Sequence, residues 1–261
     1  MDRIIGVIPA RMNSSRFPGK PLAALGGRPM IEHVVRRAGL YRQFAAVYVA
    51  TCDEEIKNAV EAFGGKVIMT SNRHARASDR VAEAAGHFEA DIIVMIQGDE
   101  PMITPEMISA AVAALRADQS VDCVNLVRRI EKREVYVDFN TIKVVKDLQN
   151  NAVYFSRAPI PPADFSVAVR PPVYKQVCVI PFRRRCLLEF AALAPTPLEE
   201  AESVDMLRLI EHGRRIRLVE TDADTHAVDT PADLRRVAAL MRDDPLCRLY
   251  ENPDGSGQTT V

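Results

Sequence analysis

Ile4-Ile5-Gly6-Val7-Ile8-Pro9 leads straight into Ala10-Arg11-Met12-Asn13-Ser14-Ser15-Arg16-Phe17-Pro18-Gly19-Lys20-Pro21-Leu22, and this stretch decides the fold. Its first six residues are an apolar run ended by proline, the pattern of a buried strand. The polar residues 11–20, with their Pro and Gly, read as a loop. A helix is expected over Met30–Gly39, where Ile31, Val34, Val35 and Ala38 fall at helical spacing. The alternation continues outward. Strands are expected over 46–51, 66–69 and 91–96. Helices are expected over 54–63, capped by Asp53 and ended by Gly64-Gly65, then from Ser78 to about residue 88, and over 104–115 behind Thr104-Pro105. Strands alternating with helices over short links predict a mostly parallel sheet, covered on both faces and joined by right-handed crossovers. Ligands bind at the carboxyl ends of such strands. Residues 11–20 and Gln97-Gly98-Asp99-Glu100-Pro101 each follow a strand, so they are expected to meet.

Beyond Ser120 the pattern loosens. Residues 121–127, 141–145, 173–181 and 215–220 read as strands, 152–160 as mixed, and 184–193 and 198–213 as helices. Residues 121–185 are expected to form an antiparallel annexe and a dimer surface. Thr230-Pro231-Ala232-Asp233 starts the last helix, with Thr230 as cap and Asp233 placed to return the bond. A single domain over 1–245 is expected, with a polar tail at 252–261 read as disordered.

The 261 residues are 48% hydrophobic, enough for a full core without staples. A net charge of -1 offers no basic excess for nucleic acid and no acidic excess for disorder. No apolar run nears the roughly 20 residues that cross a bilayer, and Met1-Asp2-Arg3 enters the first strand without a signal-peptide pattern. The five cysteines are odd in number and contain no CxxC pair, which argues against a disulfide framework or a zinc site. They read as thiols of a reducing compartment, the cytoplasm.

Three segments carry chemistry. Arg11, Arg16 and Lys20 place three cations in ten residues, with Gly19 and small serines between them. A triphosphate needs several cations and an approachable backbone. The string is not a Walker A loop, because Gly19-Lys20 is followed by Pro21; taken alone it also reads as a solvated basic turn. Asp99-Glu100 ends a buried strand, where an acidic pair is costly unless compensated. A hard divalent cation such as Mg²⁺ takes carboxylate and phosphate oxygens together; taken alone, Asp99 also reads as a turn cap. Asp229 precedes the cap of the last helix and becomes a second metal ligand only if the fold brings it to Asp99. Among the histidines, His74 lies beside Arg73, Arg76 and Arg80 and could face an anionic substrate. His33 reads as packed or solvated, and His87 and His212 lie near helix ends. No Ser-His-Asp arrangement follows from the spacing.

Together these strings resemble the 3-deoxy-manno-octulosonate (KDO) cytidylyltransferase family, the CMP-KDO synthetases. The match runs from about Ile4 to Met241. It rests on Ile8-Pro9-Ala10-Arg11 with Ser15-Arg16 and Pro18-Gly19-Lys20-Pro21-Leu22; Arg28-Pro29-Met30-Ile31; Gln97-Gly98-Asp99-Glu100-Pro101; Tyr154-Phe155-Ser156-Arg157-Ala158; and Val228-Asp229-Thr230-Pro231. The resemblance implies a Rossmann-like, three-layer nucleotide-diphospho-sugar transferase fold, a homodimer, CTP and Mg²⁺ as partners, and CMP-sugar and pyrophosphate as products. It implies that Arg11, Arg16 and Lys20 hold the triphosphate and act in catalysis with Asp99. It implies that Pro9, Ala10, Ser15, Gln97 and Gly98 line the nucleotide, and that Asp99 and Asp229 hold Mg²⁺. His74, Arg80, Gln97, Arg157, Gln176 and Asp205 would line the sugar acid.

The sugar-side strings differ from the family. A Ser-Gly-Thr-(Glu/Asp)-Arg run is usual, where this chain reads Arg76-Ala77-Ser78-Asp79-Arg80 after His74-Ala75. The His, Gly and Tyr of a second family string are replaced by Gln176, Cys178 and Ile180, and a Glu-Gln-Leu-Arg run reads Asp205-Met206-Leu207-Arg208. The acceptor therefore stays open between KDO and another hydroxylated anion, such as an amino-KDO or a nonulosonic acid. A non-catalytic nucleotide-sugar binder is the rival from another class.

Overall fold

The computed structural model describes residues 2–14, 16–167 and 169–251; the tail at 252–261 and Ser15 lie outside them. The first half alternates as its periodicity dictates. β1 (Ile4–Pro9) is followed by a small hairpin, β2 (Ala24–Leu25) with β3 (Arg28–Pro29), and then by α1 (Met30–Gly39), β4 (Phe44–Thr51), α2 (Glu54–Ala62), β5 (Lys66–Met69), α3 (Ala77–Ala84), β6 (Ile92–Ile96) and α4 (Pro105–Ala117). β5, β4, β1 and β6 lie side by side and parallel. Successive side chains of a strand point to opposite faces, and two cores follow from that. Ile5, Val7, Ile93 and Met95 face a core shared with α3. Ile4, Ile8, Ile92, Val94 and Ile96 face a second core shared with α1, α2 and α4. Helices on both faces of one sheet make the three layers expected.

The second half is β7 (Cys123–Arg129), α5 (Arg133–Val137), β8 (Lys143–Lys146), β9 (Ala152–Ser156), β10 (Tyr174–Val177), β11 (Val179–Arg183), α6 (Arg184–Ala192), α7 (Pro197–Glu202), α8 (Met206–Glu211), β12 (Ile216–Glu220), α9 (Pro231–Met241) and α10 (Pro245–Glu251). β11 runs antiparallel between β6 and β7, and β10, β8 and β9 extend the same sheet antiparallel, while β12 adds parallel to β7. The annexe is therefore present as an extension of the ten-stranded sheet.

Several boundaries differ from the sequence reading, each for a physical reason. The single strand expected over 173–181 breaks at Cys178: β10 sits between β7 and β8, whereas β11 inserts between β6 and β7. The single helix expected over 198–213 is two helices, because Ser203 adopts a left-handed conformation at φ 54. Asp53 stands at the N-cap of α2 without a side-chain cap bond, its carboxylate being used elsewhere. Ser78 does not open α3; Arg76 is the N-cap residue. The short β2–β3 hairpin, α5 and α10 carry no apolar period long enough to have been read.

Candidate functional site

The chain runs outward from β1 to β4 and β5, then returns to place β6 on the other side of β1. That reversal opens a crevice between the carboxyl ends of β1 and β6. Residues 10–22 leave β1 there, and residues 97–101 leave β6. The opening loop is tied down by Asp53, whose Oδ2 accepts the Met12 N–H at 2.8 Å. Met12 in turn accepts the Gly19 N–H on its carbonyl at 3.0 Å, with Gly19 turning at φ +71, open to glycine at no steric cost. At the end of β6, a Cβ on Gly98 would lie 3.0 Å from the Pro9 carbonyl oxygen, so glycine lets the two loops touch.

This approach brings Lys20 onto both candidate metal ligands. Its Nζ donates to Asp99 Oδ2 at 2.6 Å and to Asp229 Oδ1 at 3.2 Å. Asp229 arrives because the Val228 N–H donates to the Asp99 carbonyl at 2.9 Å, and because Thr230 and Asp233 close a capping box at the start of α9. Arg16 Nη2 donates to the same Asp229 oxygen at 2.9 Å, and its Nη1 meets Asn140 Oδ1. Burial alone would lower the Lys20 ammonium, but the charges of Asp99 and Asp229 outweigh it and hold Lys20 above its ordinary value.

The crevice is a cavity of about 570 Å³ lined by Pro9, Ala10, Arg11, Arg16, Lys20, His74, Arg80, Gln97, Gly98, Asp99, Arg157 and Asp229. It continues into a wider space bordered also by Gln176 and Asp205. Every site residue expected from the sequence therefore borders this one crevice, apart from Ser15, which lies outside the described residues. The sugar-side residues are engaged in different ways. His74 Nε2 is paired with the Glu83 carboxylate. Arg80 is buried and donates to Thr70 Oγ1 at 2.6 Å. Gln176 Nε2 donates to Asn125 Oδ1 at 2.7 Å. Asp205 accepts from Ser78 Oγ at 2.8 Å, and burial pushes its acid above the usual carboxylate range against that bond. Among the described residues the Arg157 guanidinium donates to carbonyls, those of Glu202 at 2.7 Å, Phe139 at 3.3 Å and Ser203 at 3.4 Å, while its backbone N–H donates to the Glu202 carboxylate at 2.7 Å.

Asn140 and Lys143 were not found by sequence reasoning, and Glu100 and Arg76, noticed there as part of an acidic pair and of an arginine group, were given no place in the site. Asn140 orients Arg16 from an Asp138-Phe139-Asn140-Thr141 turn, whose Asx geometry was the available signal. Lys143 is fully buried and donates to the carbonyls of Arg157, Thr141 and Asp138 at 2.5, 2.6 and 2.8 Å, fixing that turn. Burial pushes its ammonium down to about 8. Glu100 lies beneath Asp99 with Oε2 buried and without a partner among the described residues; burial, then the charge of Asp99, pushes its acid up to about 7. Arg76 lines both parts of the crevice and is held by Ser203 and Glu199.

Asp99 and Asp229 reach one nitrogen from two different loops, so two hard oxygen donors converge at one point of the cavity. No group of three or more His, Cys, Asp or Glu side chains is placed to hold a metal among the described residues. Mg²⁺ suits such a pair, because it is usually held by one or two carboxylates with substrate phosphates and water completing the shell.

A family model described as cytidylyltransferase matches residues 5–216. The chain is 46% identical over 248 residues to the 3-deoxy-manno-octulosonate cytidylyltransferase of Geobacter metallireducens, covering 92% of this chain and 98% of that one. It is 47% identical to the protein of the same name from Pelobacter propionicus, covering 92% and 97%. Among solved structures it resembles a CMP:2-keto-3-deoxy-manno-octonic acid synthetase complexed with CTP, with TM-score 0.83, 42% identity and coverage of 92% and 98%. A glucose-1-phosphate thymidylyltransferase from Bacillus anthracis shares the fold at TM-score 0.68 and 17% identity, over 92% of this chain and 96% of that one. The fold expected from the resemblance is thus the fold observed.

Proposed function

The chain belongs to the cytidylyltransferase family, and we propose that it joins CMP from CTP to 3-deoxy-manno-octulosonate, releasing pyrophosphate. The observation that carries this reading is Lys20 bridging Asp99 and Asp229 at the floor of a crevice rimmed by Arg11 and Arg16. The anomeric hydroxyl of the acceptor attacks the α-phosphorus of CTP in line. A new oxygen–phosphorus bond forms as the bond to pyrophosphate breaks. Most of the rate comes from positioning and charge stabilisation. Arg11, Arg16 and Lys20 hold the triphosphate, and Arg16 and Lys20 neutralise the departing pyrophosphate. Pro9, Ala10 and Gly98 line the nucleotide, with Gln97 between nucleotide and sugar. Asp99 and Asp229 would hold Mg²⁺, which supplies Lewis acidity to the phosphates and to the acceptor hydroxyl when bound. His74, Arg80, Arg157, Gln176 and Asp205 face the acceptor.

We assign residues 1–245 to one domain and place a homodimer contact on the annexe. β9 is the edge of the sheet, and Phe139, Leu148 and Val153 nearby are 68%, 97% and 51% exposed, an apolar edge that a second copy would cover. Five free thiols support work in the cytoplasm.

The test is pyrophosphate release from CTP and Mg²⁺ across a panel of sugar acids, with KDO first. Turnover with KDO is expected. Tight CTP binding without release on any acceptor would replace this reading with that of a nucleotide-binding protein.

A further inference from the structure

Arg76 is the N-cap residue of α3. It lies between Ala75 and Ala77, whose small side chains leave the crevice open on either side. Its guanidinium is fixed from behind. Nη1 donates to Ser203 Oγ at 2.6 Å, Nη2 donates to the Glu199 carbonyl at 3.3 Å, and Nε lies 3.3 Å from Glu199 Oε1. Each terminal nitrogen spends one N–H in this way and keeps one.

Arg76 shares Glu199 with Arg208, which also holds Asp79 at 2.9 Å, so the contact to Glu199 anchors the Arg76 guanidinium while its remaining N–H groups stay free of it. That buried carboxylate is already gripped on both oxygens by Arg208, at 2.7 Å each. Arg157 reaches Ser203 as Arg76 does, donating to the Ser203 carbonyl at 3.4 Å, and it has no carboxylate partner for its side chain among the described residues. The left-handed turn at Ser203, between α7 and α8, is what presents a hydroxyl to one arginine and a carbonyl to the other. Burial, then the charge of Arg16 and more weakly that of Arg76, lower the Arg157 guanidinium against the opposing pull of Asp229 and Glu202. The acceptor end of the crevice therefore presents two preoriented planar forks with N–H groups left over, the geometry that receives a carboxylate.

We propose that Arg76 and Arg157 form a guanidinium pair that grips the carboxylate of the acceptor, which makes Arg76 an acceptor-specificity residue of this chain. The inference rests on the cytidylyl-transfer reading above. CTP, whose phosphates lie at Lys20 and Arg16, does not need Arg76.

The experiment measures KM for KDO and for CTP separately in wild type, R76S and R76K, and repeats the acceptor series with the carboxamide analogue of KDO. In R76S the KM for KDO should rise roughly 10–100-fold, with KM for CTP within about twofold and R76K intermediate. Wild type should discriminate against the carboxamide, and R76S should lose most of that discrimination, a readout a merely structural role would not move. If R76S does not fold, R76Q serves the same comparison. An unchanged KM for KDO, or an equal rise in KM for CTP, overturns the pair while leaving cytidylyl transfer standing. If wild type uses another sugar acid, the comparison runs on that acid and its amide. If wild type releases no pyrophosphate with any acceptor, the underlying reading fails and the pair falls with it.

Discussion

Replacing Lys20 with methionine separates the two demands placed on this residue. The side chain keeps its length and loses its charge. Lys20, Asp99 and Asp229 are 11%, 25% and 18% exposed, so the contacts are largely shielded from water. Without the ammonium, two carboxylates about 5 Å apart repel by about 3 kcal/mol at an effective dielectric of ~20. Part of this is relieved by relaxation and by Arg16, which still holds Asp229 at 2.9 Å. A net loss of about 1–3 kcal/mol in metal-free buffer corresponds to a melting shift of roughly 2–10 °C for a chain of this size. Mg²⁺ should then stabilise K20M more than it stabilises wild type, because the vacated carboxylate pair gains more from a divalent cation. Catalysis should not recover. Removing one preorganised charge from the leaving pyrophosphate costs about 3–4 kcal/mol, or roughly 10²–10³-fold in turnover. Thermal melts with and without Mg²⁺, alongside steady-state pyrophosphate release, read both effects. Turnover within threefold of wild type, or an Mg²⁺ shift no larger than in wild type, would refute the assignment of this cluster.

Other outcomes follow from the same geometry. D53A removes the acceptor for the Met12 N–H and should raise KM for CTP several-fold while leaving KM for KDO unchanged, at a stability cost of about 1–2 kcal/mol read by denaturant titration. G98A drives a methyl against the Pro9 carbonyl; it should lower kcat/KM for CTP more than tenfold and stability by about 1–3 kcal/mol. His33 is buried between α1 and α10, with Nε2–H donating to the Leu25 carbonyl at 2.7 Å and Nδ1 accepting from the Tyr250 hydroxyl at 2.9 Å. Burial holds it below its ordinary value, so the unfolded chain binds the extra proton first as pH falls. Its stability contribution is complete above about pH 6.5 and is lost below that. The wild-type melting temperature should fall between pH 6.5 and 5 more steeply than that of H33Q.

The nucleotide half of the site was legible because its signals are local. An apolar run ending in Pro9, a polar loop, and an acidic pair after Ile96 each report their own surroundings, and strand alternation alone predicts that they meet. Asp229 was readable as a helix start but not as a partner of Lys20. That contact joins residues 209 positions apart and depends on the Val228–Asp99 backbone bond, which no local pattern encodes. Asp53 was misread for the opposite reason. Its local signal, an N-cap before Glu54, is genuine, but the opening loop claims the same carboxylate. The break at Ser203 was missed because serine carries no left-handed signature as glycine does, and Ala201, Val204 and Leu207 keep a three-residue spacing across it. Lys143 was invisible because a buried lysine satisfied by three carbonyls looks, in sequence, like any strand residue.

The two halves of the site also differ in how they are built. The floor around Lys20 hangs on β1 and β6, set by the two cores, and on the cap of α9, whose Val237 and Met241 pack in a smaller cluster with Leu25 and Met30. The acceptor wall is instead assembled from pairings between two short segments. Arg76 reaches Ser203 and Glu199, Ser78 reaches Asp205, and Asp79 meets Arg208, so residues 76–79 and 199–208 are joined side chain by side chain. None of these bonds touches Lys20, Asp99 or Asp229. Residues that share a network are energetically coupled, whereas distant ones are nearly additive. A substitution at residue 76 is therefore constrained by residues 199 and 203, and one at residue 78 by residue 205, while Lys20, Asp99 and Asp229 are free of both. This separation lets residues 76–79 and 199–208 vary together without disturbing the bonds of Lys20, Asp99 and Asp229. On the function proposed above, acceptor preference is expected to follow the turn at Ser203, and turnover to follow the strand ends that hold Lys20 and Asp99.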